Sequence, residues 1–320
     1  MRKFSIIIPV YNRPLEVKEL LESLTHQSYK NFEVLVIEDG SQDPCKDVVE
    51  QFLPRLDCYY FFKENSGQGF TRNYGFKQAK GEYFVVFDSD CIIPPDYLII
   101  VNNYLNNNFL DAFGGPDKAH PSFNDLQKAI SYSMTSLFTT GGIRGKKKHA
   151  GTFHPRSFNM GISKEVFEKT KGFIITRMGE DIEFSIRISR SGYTIGLIEE
   201  AFVYHKRRSD LNQFFDQLHF FGRARINIYR FFPSELKPFH FMPALFTVGI
   251  FIYLVLFFFN NFLFKAASLI LFFYFLLIFL DAAFSNKSLK VGILSIITSF
   301  VQLTGYGIGF ILEALTLLKK

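Results

Sequence analysis

The chain has 320 residues, 48 % of them hydrophobic, with 41 Phe, no Trp and a formal charge of +6. That length allows one large domain with an appendage, or two domains. The positive balance suits an anionic membrane surface or phosphorylated substrates, and no recognition motif accompanies it to suggest nucleic acid. Cys45, Cys58 and Cys91 form no C-x-x-C pair, so a disulfide framework is not expected and a reducing, cytosolic setting is. No signal peptide is expected, because the apolar run Phe4 to Val10 is short and leads directly into a folded pattern.

Phe4 to Val10 reads as a buried strand, and Pro14 to Thr25 as a helix carrying Leu15, Leu20, Leu21 and Leu24 at helical spacing. Phe32 to Ile37 predicts a second strand, ending at Glu38-Asp39-Gly40-Ser41. A short helix from Pro44 to Phe52, a strand near Cys58 to Phe62, and a helix from near Gly69 to before Gly81 follow. This alternation predicts a parallel, doubly wound α/β sheet. Neither a G-x-G-x-x-G nor a Walker A loop is present, so a nucleotide site must be built differently.

Tyr83 to Phe87 is an apolar strand that ends abruptly in Asp88-Ser89-Asp90. Ligands of open α/β sheets collect at the C-terminal ends of the strands. If strand geometry persists, Asp88 and Asp90 share one face. Two carboxylates so close suit a hard divalent cation, Mg²⁺ or Mn²⁺, shared with substrate phosphates, whereas a solvated turn is the plain alternative. Beyond Pro94-Pro95, helical spacing runs to about Leu105, and Asp111 to Gly115 predicts a strand. Gly141 to His149 is glycine-rich and basic, suited to a loop near phosphates or headgroups, or to a plain solvated loop.

The C-terminal third is nearly free of charge from about Phe239 to Leu318. Phe241 to Phe259, Phe262 to Leu280 and Val291 to Leu312 are each long enough to span a bilayer. Asn260-Asn261 permits a tight hairpin, and Lys287 and Lys290 fall in the second connection, which the positive-inside rule sends to the cytosol. Three full spans would leave Lys319 and Lys320 outside, so a re-entrant or interfacial third segment is the alternative. Gly305 and Gly309 form a G-x-x-x-G face suited to a helix–helix partner. Leu211 to Phe232 mixes Phe214, Phe215, Leu218 and Phe221 with Arg223, Arg225 and Arg230, as an interfacial amphipathic helix does. The expected boundaries are therefore a catalytic domain over 1–209, an interfacial segment over 210–238 and a transmembrane region over 239–320.

Four segments carry a family resemblance. Ser5 to Asn12, Val36 to Ser41, Asn65 to Gly75 and Asp88-Ser89-Asp90, in this order and spacing, resemble a family 2 glycosyltransferase, of the inverting, membrane-anchored bacterial type, over residues 4 to about 205. The resemblance implies a GT-A (nucleotide-diphospho-sugar transferase) fold. It implies donor contacts from Pro9, Tyr11, Asn12, Asp39, Arg72, Asn73, Asp88, Gly161 and Glu180. Within that set, Asp39 would meet the uracil of a UDP-sugar, Arg72 would lie near the diphosphate, and Gly161 would belong to a glycine loop approaching the sugar. Asp90, His205 and Asp88 would hold Mn²⁺ or Mg²⁺, although a lone His is often structural. Glu180-Asp181 matches the family's E-D motif, with Asp181 as general base; a helix cap is the plain reading of the same residues.

Gln217 to Arg225 resembles a Q-…-G-R-x-R segment of membrane-bound members, but the Q-x-x-R-W pattern of processive synthases is missing. The implied enzyme moves a sugar from a nucleotide donor to a lipid-linked or growing glycan in cell-envelope or polysaccharide biosynthesis. It would do so at the cytosolic face of the bacterial inner membrane. A polyprenyl-phosphate glycosyltransferase and a catalytically silent scaffold of the same fold are the alternatives.

Overall fold

The computed structural model describes residues 2–118, 120, 122–140 and 153–318. In chain order, the first elements are β1 (Phe4–Val10), α1 (Pro14–Thr25), β2 (Phe32–Asp39), α2 (Lys46–Glu50), β3 (Cys58–Lys63), α3 (Gln68–Gln78), β4 (Tyr83–Phe87) and β5 (Cys91–Ile92). Next come α4 (Tyr97–Asn107), β6 (Ala112–Gly114), β7 (Asp117–Lys118), α5 (Asp125–Thr135), α6 (Leu137–Thr140), β8 (Asn159–Ser163), α7 (Lys164–Thr170) and α8 (Glu180–Arg190). The chain closes with β9 (Ile195–Leu197), β10 (Val203–His205), α9 (Leu211–Phe231), α10 (Met242–Phe259), α11 (Asn261–Asn286) and α12 (Leu289–Leu317). The basic loop Gly141 to His149 lies outside the described residues.

The chain divides into two units, one of residues 1–120 and 151–206, the other of 121–150 and 207–320. In the first, a seven-stranded sheet runs β3-β2-β1-β4-β8-β6-β9. Strands β3, β2, β1 and β4 are parallel, and β8 is antiparallel to both β4 and β6. The doubly wound expectation therefore holds for the N-terminal half, and β8 makes the sheet mixed. Strands β1 and β4 are almost wholly apolar, and β1, β2 and β4 are buried because both faces of the sheet are covered. Helix α1 begins with Pro14 at its first turn and buries Val17, Leu20, Leu21 and Leu24, spaced three and four apart. Leu15, counted into that stripe from sequence, points outward. A second, three-stranded sheet runs β5-β10-β7 and joins the segment after β4 to the end of the unit.

The second unit gathers α5 and α6 with the C-terminal helices, so 121–140 sits with the helical unit although the sequence left it inside 1–209. Among the described residues, three of its helices are long and apolar enough to cross a membrane. Asn260 caps α11 by accepting from the Leu263 N–H at 3.0 Å, which makes the expected hairpin between α10 and α11. Helix α12 is continuous for 29 residues and is the centre of the unit, packing on α5, α9, α10 and α11. The G-x-x-x-G face finds its partner inside the chain. A Cβ on Gly305 would press on Phe215 and Leu218 of α9, and one on Gly309 would strike the His219 carbonyl of the same helix.

Candidate active site

Strand β2 ends at Asp39, directly opposite Lys63 at the end of β3 in the parallel register. That register delivers Lys63 Nζ to Asp39 Oδ1 at 2.5 Å. The Ser66 and Gly67 N–H groups donate to the two Asp39 oxygens, each at 2.9 Å. Burial pushes the Asp39 pKa up, but Lys63 and these backbone donors outweigh it and hold the carboxyl below its ordinary range. Gly40, at φ +72°, lets Asn65 come close enough for its side chain to donate to the Asp39 carbonyl at 2.8 Å. Asp39 thus organises the turn into α3, and Lys63, its strongest partner, was not singled out from sequence.

At the end of β1, Pro9 is partly buried, Tyr11 is exposed and Asn12 takes the left-handed region at φ +53°. Asn12 Oδ1 accepts from the N–H groups of Gln42 and Asp43 at 2.7 and 3.0 Å, tying the loop after β1 to the loop after β2. Asn73 in α3 makes a two-way bond with the Phe173 backbone, at 2.7 and 2.8 Å. The described role of both asparagines is thus to fix loops around the strand ends.

Arg72 projects from α3 into the interior and is only 1 % exposed. Its guanidinium reaches Asp88 Oδ1 at 2.8 Å and Glu180 Oε1 at 3.2 Å. It is a buried tie between two acids, with no open face toward a diphosphate. Gln68 also donates to Glu180. Burial first, and Asp181 next to it, push the Glu180 carboxyl up to about 7, against the pull of Arg72.

The shared face expected for Asp88 and Asp90 does not form. Strand β4 stops at Phe87, and the Cys91 N–H turns back to the Asp88 carbonyl at 3.1 Å. The tight turn breaks the strand alternation, so the two acids acquire separate partners. Asp88 goes to Arg72, whereas Asp90 receives Arg13 Nη1 at 2.6 Å and His205 Nε2 at 3.0 Å. The pairing of β10 with β5 sets His205 opposite Cys91 and so beside Asp90. Phe158 stacks on the His205 ring, with centroids 4.8 Å apart.

Asp90, Cys91 and His205 bring one ligand atom each within 4.8 Å of one another. Cys91 is fully buried, which raises its pKa far above the ordinary thiol range, and its Sγ leans on the Phe158 carbonyl at 3.6 Å. Thiol sulfur is in any case a soft donor, poorly matched to a hard ion. Carboxylate and imidazole remain, a donor set that fits Mn²⁺ or Mg²⁺ with phosphate oxygens completing the shell. Asp88, expected to share the metal, is not in this cluster.

Gly161 is a correction of another kind. It sits inside β8, buried between β4 and β6, where a side chain would collide with the Phe113 ring. The glycine is needed for strand packing, and no glycine loop forms there.

Helix α8 starts after Gly179, which takes φ +94°, and carries Glu180, Asp181 and Glu183 in its first turn. Acids are favoured there by the helix dipole and the unpaired N–H groups. Asp181 Oδ1 accepts the Ile182 N–H at 2.8 Å, and Oδ2 lies 3.5 Å from Arg156 Nη1. Arg156 and Arg13 both touch expected site residues and were missed, because neither belongs to a motif and both partners are remote in sequence.

The sheet order, the acids at the strand ends and the E-D pair opening a helix define the GT-A fold of nucleotide-diphospho-sugar transferases. The mannosyltransferase PcManGT of Pyrobaculum calidifontis, solved with GDP-Man and Mn²⁺, shares this fold. The TM-score is 0.61 over 98 % of this chain and 87 % of that one, at 18 % identity. Residues 5–170 match the description "Glycosyl transferase family 2", and the chain belongs to that family. An uncharacterized glycosyltransferase of Rickettsia felis is 35 % identical over 144 residues, covering 44 % of this chain and 23 % of that one. The minor teichoic acid biosynthesis protein GgaB of Bacillus subtilis is 24 % identical over 213 residues, covering 65 % of this chain and 23 % of its own. The chain thus spans about a quarter of the length of these two relatives.

Proposed function

We propose that the protein is an inverting glycosyltransferase that moves a sugar from a nucleoside diphosphate donor to a lipid-linked or growing glycan. What carries this reading is the meeting of Asp90 and His205 through the β5–β10 pairing, in the same unit as Asp181 at the opening of α8. Asp181 would take the proton from an acceptor hydroxyl as that oxygen bonds to the anomeric carbon. The bond from that carbon to the diphosphate breaks in the same step, the sugar inverts, and the nucleoside diphosphate leaves with the electron pair. A divalent cation held by Asp90 and His205 would offset the charge growing on the departing diphosphate. Glu180 would steady α8 and Arg72, and Asp88 would face the donor from the turn after β4.

Uridine is the base expected from the resemblance, with Asp39 at its imide N–H. A carboxylate accepts equally from the ring N–H of guanine, the base carried by PcManGT, so both nucleotides belong in the test. Helices α10, α11 and α12 would hold the site at the cytosolic face of the cell membrane, next to a lipid-linked acceptor. The teichoic acid relative supports a place in cell-envelope synthesis.

The test is turnover of a panel of UDP- and GDP-sugars by full-length protein in proteoliposomes, with Mn²⁺, with Mg²⁺ and with EDTA. Cation-dependent turnover of a UDP-sugar that Asp90→Ala removes is the expected result. Equal turnover in EDTA would overturn the metal assignment.

A further inference from the structure

Both oxygens of Asp90 are already engaged. One accepts from Arg13 Nη1 at 2.6 Å and the other meets His205 Nε2 at 3.0 Å. Asp90 is 8 % exposed, and a carboxylate so buried needs a compensating positive charge. Arg13 supplies it from an unusual position. It is the residue before the first turn of α1, and its backbone follows Asn12, which is pinned by its own bonds to Gln42 and Asp43. Its side chain remains about one-third exposed, and the backbone before it is held by those bonds. A divalent ion on Asp90 would set two like charges within a few ångströms of each other in a site largely shielded from water.

We propose that Arg13 is a built-in substitute for the divalent cation: its ion pair with Asp90 and cation binding exclude one another, and the displaced guanidinium turns to the donor's diphosphate. This rests on the metal reading of Asp90 and His205. Charge is thereby balanced in both states. Without cation, Arg13 neutralises the acid; with cation and donor, Arg13 pairs with phosphate oxygens, for which its planar fork is well suited.

The test needs no turnover. Mn²⁺ binding to full-length protein in detergent is read from the paramagnetic resonance signal of the free ion, for wild type, Arg13→Gln, Arg13→Lys and Asp90→Ala. Without nucleotide, Arg13→Gln should bind Mn²⁺ about fivefold more tightly, the scale of losing one competing ion pair. Arg13→Lys keeps a charge without the fork and should fall between, which also covers a folding defect of the glutamine variant. UDP and GDP are then titrated at saturating Mn²⁺. The nucleotide that wild type binds should lose about tenfold in affinity in Arg13→Gln. Unchanged or weaker Mn²⁺ binding in both Arg13 variants, with Asp90→Ala losing it, would overturn the substitution. Tighter Mn²⁺ with unchanged nucleotide affinity would remove the diphosphate role. Equal Mn²⁺ binding by Asp90→Ala and wild type would overturn the metal reading itself.

Discussion

Helix α1 of the sheet-bearing unit turns Val17, Leu20, Leu21 and Leu24 inward and leaves Lys18 and Glu19 outward. In the helical unit the pattern reverses. Helix α10 leaves Leu245, Phe251, Leu254 and Phe258 outward, while α12 buries Ser295, Thr298, Ser299 and Gln302. One unit separates apolar from polar residues against water. Helices set in a bilayer would gain nothing by hiding Leu or Phe from lipid, and would associate instead through the small residues and hydrogen bonds that α12 buries. Ser133 of α5 meets Thr298 of α12 at 2.6 Å, and Thr298 also donates to the Ala129 carbonyl at 3.1 Å. The contrast teaches that the same kind of substitution should act through different forces in the two units.

The largest effect is expected at the seam of the helical unit. Gly309→Leu drives a side chain into the α9 backbone, where little can yield. It should cost about 3 kcal/mol or more, the upper end for overpacking. Donor binding by the sheet-bearing unit should persist. Proteolysis of the C-terminal helices, read beside nucleotide affinity, checks this, and concerted loss of both would break the division into independent units.

Asp181→Asn should lower transfer about a hundredfold or more, about 2.7 kcal/mol of barrier, with donor affinity nearly unchanged. Parallel loss of transfer and nucleotide binding would make Asp181 structural.

A smaller effect concerns Glu180, whose carboxyl sits at about 7 in the fold against an ordinary 4.5. A raised pKa means that the folded protein holds the proton more tightly. Its stabilising contribution is therefore complete below about pH 4.5 and lost as pH rises through about 7. Asp39 and Asp90 are shifted downward, so their slopes lie at lower pH and run the other way. Thermal midpoints from pH 4.5 to 7.5 should fall in wild type and flatten in Glu180→Gln. A slope that survives the substitution would assign it to another group.

The smallest expected effect is in the polar seam. A double-mutant cycle of Ser133→Ala and Thr298→Val should give a coupling of about 0.6 to 1 kcal/mol, because the unfolded chain in lipid also finds partners. A coupling near zero would mean that packing alone joins α5 to α12.

Strand and helix alternation, the acids at the strand ends, the E-D pair and the apolar C-terminal segments were all readable from the sequence. These features depend on local periodicity and on spacing along the chain. The partner of each charge was not readable in this way. Lys63 reaches Asp39 through strand register, Arg72 reaches Glu180 from 108 residues away, and Arg13 reaches Asp90 from 77. The Asp88–Asp90 pair shows the limit most clearly. Its two members were readable as site acids, but a turn of one residue sent them to different cations. Likewise Gly161 was expected in a glycine loop beside the sugar, whereas it lies inside β8, where the Phe113 ring across the strand pair leaves no room for a side chain.

The sequence by itself determined which chemistry is present, the family fold that carries it, and which third of the chain is long and apolar enough to cross a membrane. Tertiary structure alone decided that Arg13 and His205 close on Asp90, that Arg72 is buried between two acids, and that the G-x-x-x-G face of α12 is taken by α9. The reason is physical: periodicity and propensity act over a few residues, whereas a buried charge is neutralised by whichever opposite charge the fold brings within reach.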